Sequence, residues 1–401
     1  MSNASDILSE PVNIVSKVPS NWIKKNLVEL CNPKQWKTIS QYEMSKTGYP
    51  VFGANGFIGY YPEYNHDNET IAITCRGATC GTVNLVPKKT YITGNSMCLD
   101  NVSRDTDVKY LYYASSYRTL SDVISGSAQP QITGESLKFV ILPIPPITEQ
   151  KKIASILTSV DELIENTQKQ IDKLQDLKKA TMNDLLTKGI GHTEFKDSEL
   201  GRIPKSWEVK RLDEVSLISR GKFSHRPRND PDFYDGDHPF LQTGDIPTND
   251  TDITSFTQTL NEKGLTVSKL FPKGTLVLTI AATIGEVGIL TFNSCFPDSL
   301  VGISCKTNKT TSYFLLYSLR SNKQKLISET PESTQKNLNL DILNPFPITV
   351  PTLDEQKEIG TVLLSIDHTL KEKTQKLTQT QSLKKSLMQV LLTGKVRVKV
   401  N

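Results

Sequence analysis

The sequence PPITEQKKIASILTSVD occupies residues 145–161, and a second version of it, PTLDEQKEIGTVLLSID, occupies residues 351–367. The match around these stretches runs without a gap over residues 126–187 and 332–393, at an offset of 206 (351 minus 145). Two copies of one segment in one chain indicate a duplicated structural module. The duplication therefore predicts two similar halves within a single chain.

Weaker matches extend the repeat towards the start of each copy. Pro19–Trp22 matches Pro204–Trp207 at an offset of 185 (204 minus 19), so the second copy gains 21 residues (206 minus 185) in its front part. Within the fronts, Asn95-Ser96 is aligned with Asp298-Ser299. Each copy therefore consists of a variable front and a constant rear.

The constant rear of each copy has the pattern of a long helix. Apolar residues recur every three or four positions, prolines stand just upstream, and Gly189 and Gly394 follow as stop signals. Each helix is predicted to span roughly 39 residues, or about 58 Å at 1.5 Å per residue. A sparse apolar stripe needs a partner, so the two helices are expected to pair as an antiparallel coiled coil with pseudo-two-fold symmetry. The stripe consists of Ile153, Ile156, Leu157, Val160, Leu163, Ile164, Ile171, Leu174 and Leu177, then Ile359, Val362, Leu363, Ile366, Leu370, Leu377 and Leu383.

The two fronts have the composition of strand-dominated domains. Runs such as residues 70–74 and 275–280 are rich in β-branched residues and are bounded by Gly, Pro, Asn and Asp. Short helices are expected near Val108–Ser121 and Ser312–Lys325. The predicted fold class is α+β, with two strand-rich globular domains that are each followed by a long helix. The expected boundaries are a first domain at 1–146, a helix at 147–190, a linker at 191–204, a second domain at 205–351, a helix at 352–395 and a tail at 396–401.

Composition narrows the class of protein. The chain has 401 residues, of which 37% are hydrophobic and 22% charged, as in ordinary globular domains, and its net charge of +4 permits a nucleic-acid partner. The sequence has no apolar run long enough for a membrane span, and its polar start lacks the pattern of a secretory signal, which predicts a cytoplasmic protein. The six cysteines form no CxxC pair, so no metal site and no disulfide framework are expected.

Order, duplication and local motifs together resemble one known family. Each copy contains Pro-x-x-x-Glu-Gln-x-x-Ile-x-x-x-Leu and ends its long helix with Leu-Leu-Thr, after a front that opens with Pro-x-x-Trp. Three further segments, Asn55–Tyr60, Arg76–Gly81 and Gly126–Ile132, add to the likeness. The chain resembles the specificity subunit of type I restriction-modification systems, from about residue 19 to residue 395.

This resemblance implies a DNA reader without catalysis of its own. The fronts would be target recognition domains that each read half of an asymmetric bipartite site in double-stranded DNA. The paired helices would set the unread gap and dock two modification subunits. Those subunits would methylate adenine N6 with S-adenosylmethionine, and restriction subunits using ATP and Mg would translocate and cleave DNA. No cofactor is expected in this chain.

The motifs of the partner activities are missing from the sequence. An adenine methyltransferase needs an Asp/Asn-Pro-Pro-Tyr/Phe stretch, and the nearest sequence, Asn344-Pro345-Phe346, lacks the second proline. The chain has no GxxxxGK[ST] loop for a motor ATPase. Glu149 and Glu355 open the predicted helices, where capping of the helix N-terminus is the simpler role. No catalytic residue is therefore expected.

Loops of the fronts are the candidate DNA contacts, because Arg, Lys, Asn and Gln suit phosphates and base edges. Ser219–Asn229 is the most basic stretch, and Gln242-Thr243 is a weaker candidate that a plain turn would also explain. Gln129 and Gln335 share one place in the repeat, where an anchoring role is equally compatible. The full set is Asn55, Arg76, Thr79, Asn95, Gln129, Arg220, Lys222, Ser224, His225, Arg226, Arg228, Gln242, Thr243, Gln335 and Lys336.

Two other classes of protein compete with this interpretation. A structural protein could use the coiled coil to hold two ligand-binding or protein-binding domains apart. A self-sufficient methyltransferase or nuclease is opposed by the missing motifs. Salt-dependent DNA binding separates a DNA reader from a scaffold, because phosphate contacts weaken as salt rises.

Overall fold

The computed structural model describes residues 12, 14, 15, 18–126, 129–248, 250–281, 283–330 and 338–399. The chain divides into two compact units. Unit 1 contains residues up to Gln168 together with those from Lys376 onward, and unit 2 contains Lys169–Gln375. Each unit therefore includes part of both constant segments of the repeat.

The elements of unit 1 are β1 (Ile23–Asn26), α1 (Leu27–Leu30), β2 (Asn32–Gln35), β3 (Tyr49–Phe52), β4 (Phe57–Tyr61), β5 (Thr70–Thr74), β6 (Val83–Val86), β7 (Tyr91–Ile92), β8 (Ser96–Asp100), α2 (Val108–Arg118), β9 (Ile141–Ile144) and the start of α3 (Ile147–Lys188). The strands form a four-stranded sheet with the order β2–β8–β5–β6, a smaller sheet with the order β4–β3–β7, and the pair β1–β9. All five residues of β5 are buried, as in a strand that is covered on both faces.

Unit 2 repeats this plan with added strands. Its sheets have the orders β13–β21–β18–β19–β15 and β16–β14–β20–β17, beside the pairs β12–β22 and β10–β11. The elements are β10 (Phe195–Ser198), β11 (Gly201–Pro204), β12 (Glu208–Arg211), α4 (Leu212–Val215), β13 (Ser216–Arg220), β14 (Tyr234–Phe240), β15 (Asp252–Ile253), β16 (Gln258–Leu260), α5 (Glu262–Val267), β17 (Leu270–Phe271), β18 (Leu276–Thr279), β19 (Val287–Leu290), β20 (Ser294–Cys295), β21 (Leu300–Cys305), α6 (Ser312–Ser321), α7 (Lys323–Ser328), α8 (Leu340–Leu343), β22 (Pro347–Val350) and α9 (Leu353–Leu391). The mixed α+β class predicted from the sequence is confirmed.

The long helices pair in opposite directions inside each unit. In unit 1, Lys384 Nζ of α9 lies 2.6 Å from Asp161 Oδ1 of α3. In unit 2, Lys178 of α3 forms an ion pair with Asp367 of α9. Residue numbers rise along one helix while they fall along the other, so the pairing is antiparallel. The helices contain 42 and 39 residues, close to the predicted length.

The buried seam between the helices is narrower than the predicted stripe. Ile153 and Leu157 share the core of unit 1 with Leu391 and Leu392, and Ile359 and Leu363 share that of unit 2 with Leu186. By contrast, Leu163, Leu177, Val362 and Leu383 are exposed. A pair of helices covers only the central positions of an apolar face, so flanking positions stay outside. Among the described helices, none is long and apolar enough to cross a membrane.

The Glu-Gln motif joins each front to its helix, and the expected helix-capping role of its glutamate is wrong. The buried Glu149 carboxylate accepts a hydrogen bond from Trp22 Nε1 at 3.1 Å and pairs with Arg397 Nε at 2.7 Å. In unit 2, Glu355 accepts from Trp207 Nε1 at 3.0 Å. Each carboxylate therefore binds the tryptophan of the Pro-x-x-Trp motif, since a buried charge needs a specific donor.

The glutamine of the motif binds the segment that leads into a short helix, which is α2 in unit 1 and α6 in unit 2. Gln150 Oε1 accepts from Asp107 N at 2.8 Å, and Gln356 Oε1 accepts from Thr311 N at 3.0 Å. Both glutamine side chains also donate to the carbonyl of the upstream proline, Pro145 or Pro351. Because every polar atom of these buried amides is bonded, the repeated motif acts as a structural joint.

Candidate nucleic-acid interface

Four loops of unit 1 converge at the end of β5, and their residues 53–56, 76–79, 93–95 and 129–131 are here named loop cluster 1. The Thr74 hydroxyl donates to the Ala54 carbonyl, and the Ser96 hydroxyl donates to Gly53 O at 2.9 Å. The Cys75 amide donates to Asn95 O at 3.1 Å, and the Gly77 amide donates to Pro130 O at 3.2 Å. Backbone bonds therefore bring together loops that are distant in sequence.

Loop cluster 1 contains the five candidate residues of the first front. The side chains of Asn55, Arg76, Asn95 and Gln129 are exposed, and Thr79 is half-buried. Glycine is required within the cluster, because Gly77 has a φ of +86° and a Cβ at Gly94 would lie 2.4 Å from Trp36 O. The structure thus places these polar side chains on one exposed surface.

Unit 2 builds the same framework from different residues. The Ile280 amide donates to Ser299 O at 3.1 Å, as Cys75 does to Asn95. The Leu338 amide donates to Ile280 O at 3.0 Å, as Ile132 does to Cys75 at 2.9 Å. Ser299 is therefore the structural counterpart of Asn95, and the alignment of Asn95 with Asp298 was wrong by one position. Gln335 and Lys336 lie outside the described residues.

The basic stretch of unit 2 is less free than its sequence indicates. Arg228 Nη2 pairs with Asp298 Oδ1 at 2.6 Å, and His225 Nε2 lies 2.9 Å from Asp230 Oδ2. Arg226 Nη1 donates to the carbonyls of Phe223 at 2.8 Å and His225 at 2.7 Å, so it holds the loop itself. These side chains are partly occupied by contacts within the protein.

Arg220 and Lys222 are the accessible cations of this stretch. Both side chains are exposed, and within the described part of the chain neither has a hydrogen bond or an ion pair. Ser224 is also exposed, but its hydroxyl donates to Val267 O at 3.2 Å. Two exposed cations without a partner among the described residues, one at the end of β13 and one just after it, are suited to phosphate contact.

A cleft of about 570 Å³ lies beside this stretch in unit 2. Gln242 and Gln258 line it, and Gln242 Nε2 donates to Gln258 Oε1 at 2.8 Å. Thr243 begins a short turn that ends at Asp245. Gln258 was missed by the sequence reasoning, because no repeat match marks its position in the enlarged second front.

One group in the described residues combines three metal-ligand types. Atoms of His66, Cys98 and Asp100 lie within 4.8 Å of one another. His66 Nε2 already lies 3.0 Å from Asp100 Oδ1, and Trp36 Nε1 donates to Asp100 Oδ2 at 3.1 Å. Burial raises the pKa of the Cys98 thiol well above its usual range, with Asp100 adding to the effect. The group is therefore best described as a buried polar pair beside a neutral thiol.

Comparison with known proteins places the chain in a family. A family model described as the type I restriction modification DNA specificity domain matches residues 19–176 and 204–380. The chain belongs to this family. The two matched regions correspond to the two halves of the internal repeat.

Individual members of the specificity family agree with this assignment. A protein of Methanocaldococcus jannaschii described as the MjaX type I restriction enzyme specificity subunit is 33% identical over 276 residues, covering 68% of this chain and 63% of that relative. The MjaVIII specificity subunit of the same organism is 31% identical over 340 residues, covering 80% of this chain and 78% of that relative. The alignment thus spans less than two thirds of the MjaX protein.

A solved structure shares the fold. The S subunit of a type I restriction-modification system from M. genitalium superposes with a TM-score of 0.67 at 17% identity, covering 96% of this chain and 99% of that chain. At this identity the likeness concerns the fold alone. The fold predicted from the repeat is therefore that of a solved S subunit.

Proposed function

We propose that this chain is the DNA sequence-recognition subunit of a type I restriction-modification complex and that it reads an asymmetric bipartite site. One observation carries the proposal: a shared backbone framework, marked by the Cys75–Asn95 and Ile280–Ser299 hydrogen bonds, presents different side chains in the two units. A shared framework suits a common way of approaching the duplex. Different side chains on it suit two different half-sites.

The accessible charges of the two units support contact with DNA. Arg76 is exposed in loop cluster 1, and Arg220 and Lys222 are exposed in unit 2. Cations on loops bind phosphates and position a protein on the duplex, while Asn and Gln side chains read base edges. Asn55, Asn95, Gln129 and Gln242 are the amides assigned to that second role, and loop cluster 1 also supplies Thr79.

Catalysis in this proposal belongs to partner subunits. Two modification subunits would methylate adenine with S-adenosylmethionine, and restriction subunits would use ATP and Mg. The paired helices α3 and α9 would dock the modification subunits, since they carry exposed apolar positions such as Leu163 and Leu383. The complex would act in the cytoplasm on double-stranded DNA.

Salt-dependent binding tests the proposal. The purified chain should bind a mixed-sequence DNA duplex with an affinity that falls steeply as KCl rises, as measured by fluorescence anisotropy. Lys222→Ala should reduce the slope of log K against log salt by about one, the share of one phosphate contact. Lys196→Ala, on the β10–β11 hairpin, provides a control with an exposed lysine and should keep the full slope.

Two results would count against the proposal. Binding that does not change between low and high salt would favour a scaffold for other ligands. Methyl transfer to DNA by the purified chain and S-adenosylmethionine alone would contradict a non-catalytic role. The expected result of that assay is no incorporation of methyl groups until modification subunits are added.

A further inference from the structure

The hairpin β14–β16 of unit 2 corresponds to the hairpin β3–β4 of unit 1. Val51, which follows Pro50, pairs in parallel with Tyr91 of β7 and across its hairpin with Gly59. Phe240 pairs in parallel with Cys295 of β20 and across its hairpin with Gln258. Gln258 therefore occupies the place that Gly59 occupies in unit 1.

About half of the extra length of the second front lies at this hairpin tip. Seventeen residues, 241–257, separate Phe240 from Gln258, whereas seven residues, 52–58, separate Val51 from Gly59, a gain of ten (17 minus 7). The tip in unit 1 includes residues 53–56 of loop cluster 1. The same framework position thus differs between the units in both length and side-chain chemistry, as expected where two half-sites are told apart.

A carboxylate fixes the two ends of the longer tip to each other. Asp245 Oδ2 accepts from the Gln242 amide at 2.7 Å and from the Thr257 hydroxyl at 3.1 Å. Thr257 is adjacent to Gln258, so this contact holds the two glutamines side by side. Their amides are joined by the 2.8 Å hydrogen bond from Gln242 Nε2 to Gln258 Oε1. The pair is therefore oriented before any ligand arrives, which lowers the entropy cost of binding.

The joined amides leave a donor and an acceptor free at the cleft. With one N–H and one carbonyl used between them, Gln242 keeps an available carbonyl lone pair and Gln258 keeps its N–H donors. If Gln258 donated to Gln242 instead, the pair would still present one free carbonyl lone pair and free N–H groups. Two other polar groups of the cleft are less free, because Arg228 is paired with Asp298 and the Tyr234 hydroxyl is bonded to Arg228 O.

We propose that Gln242 and Gln258 together read one adenine of the half-site that unit 2 recognises, with Asp245 as a positioning residue. In the major groove adenine offers an N6 donor beside the N7 acceptor, which matches one carbonyl and one N–H. Guanine presents two acceptors and cytosine a donor alone, so neither satisfies both amides. This inference rests on the proposed DNA-reading function and names the base that one residue pair selects.

Motif mapping with the assembled complex tests the inference. The chain carrying Gln258→Leu would be assembled with its modification subunits, and the methylated sites of genomic DNA would be sequenced. At one A·T position of one half-site, we expect the preference for A·T over other base pairs to fall by roughly 10- to 100-fold. This is the discrimination that one bidentate base contact usually provides. The other half-site and the gap should stay unchanged. Gln324→Leu, at an exposed glutamine of α7, should give the wild-type motif.

The alternatives are separated by the same data. A wild-type motif with normal methylation by the Gln258→Leu complex would overturn the inference and leave the DNA-reading function intact. No bipartite motif from the unmodified chain would overturn both. If Gln258→Leu abolishes methylation, Gln258→Glu decides, since a carboxylate only accepts. A shift of that position towards C·G would support the inference, and a wild-type motif would contradict it.

Discussion

At the residue scale, the strongest repeat motif serves the internal structure. The sequence identified Glu149 and Glu355 as matching residues of two copies, but it predicted a helix cap for both. The partner of Glu149 is Trp22, which lies 127 positions away, and such a long-range contact leaves no periodic signal. Equally, the sequence did not show that Asp298 pairs with Arg228, because only folding brings them together.

Substitution of Glu149 at this joint is expected to destabilise the fold. Glu149→Gln keeps the shape of the buried side chain but removes the charge that binds Trp22 and Arg397. We expect the free energy of unfolding to fall by about 1–3 kcal/mol, because the buried Glu149 side chain loses its charge-assisted hydrogen bonds to Trp22 and to the exposed Arg397. Urea unfolding followed by tryptophan fluorescence measures this change.

A matched substitution on the same helix controls that measurement. Glu162 is exposed on α3, so Glu162→Gln should change the free energy of unfolding by less than about 0.5 kcal/mol. Equal effects of the two substitutions would show that Glu149 contributes no more than a surface charge. The joint would then have no special role in attaching the front to its helix.

At the element scale, the long helices were predictable and the enlarged hairpin was not. The ungapped repeat, its apolar periodicity and the flanking prolines and glycines predicted the ends of α3 and α9 to within a few residues. The extra strand β15, which pairs with β19 at the edge of the main sheet of unit 2, comes from inserted residues without a match in the first copy. Strand pairing depends on distant partners, so a short two-residue strand cannot be read from local pattern.

The helices also provide a prediction about spacing. Insertion of seven residues into both α3 and α9, at the points where they pass from one unit to the other near Gln168 and Gln375, keeps the packed face of each helix in phase. Seven residues add about 10 Å at 1.5 Å per residue. We expect the unread gap of the methylated motif to lengthen by about three base pairs, at 3.4 Å per pair.

Motif sequencing of the variant complex decides this prediction. Insertion into α3 alone is the control, because it shifts one helix against the other and should reduce methylation instead of lengthening the gap. Efficient methylation of a site with the original gap by the doubly extended chain would contradict a role of the helices in spacing.

At the scale of the whole molecule, duplication explains both what is shared and what differs. The repeated Glu-Gln joints and the loop framework have the same hydrogen bonds in the two units. Loop cluster 1 could be predicted as a set of polar, glycine-containing loops, whereas the interlocked Gln242 and Gln258 required the hairpin register. In the proposed function, the shared positions would serve assembly, and the positions that differ would select the DNA sequence.

The most direct measurement is the map of methylated adenines in a host that carries the chain and its modification subunits, compared with the same host lacking this gene. The proposed function predicts a bipartite motif, with two specific half-sites around a fixed unread gap, that disappears when the gene is deleted. An unchanged methylation map after deletion would contradict the central claim that this chain selects the modified sites.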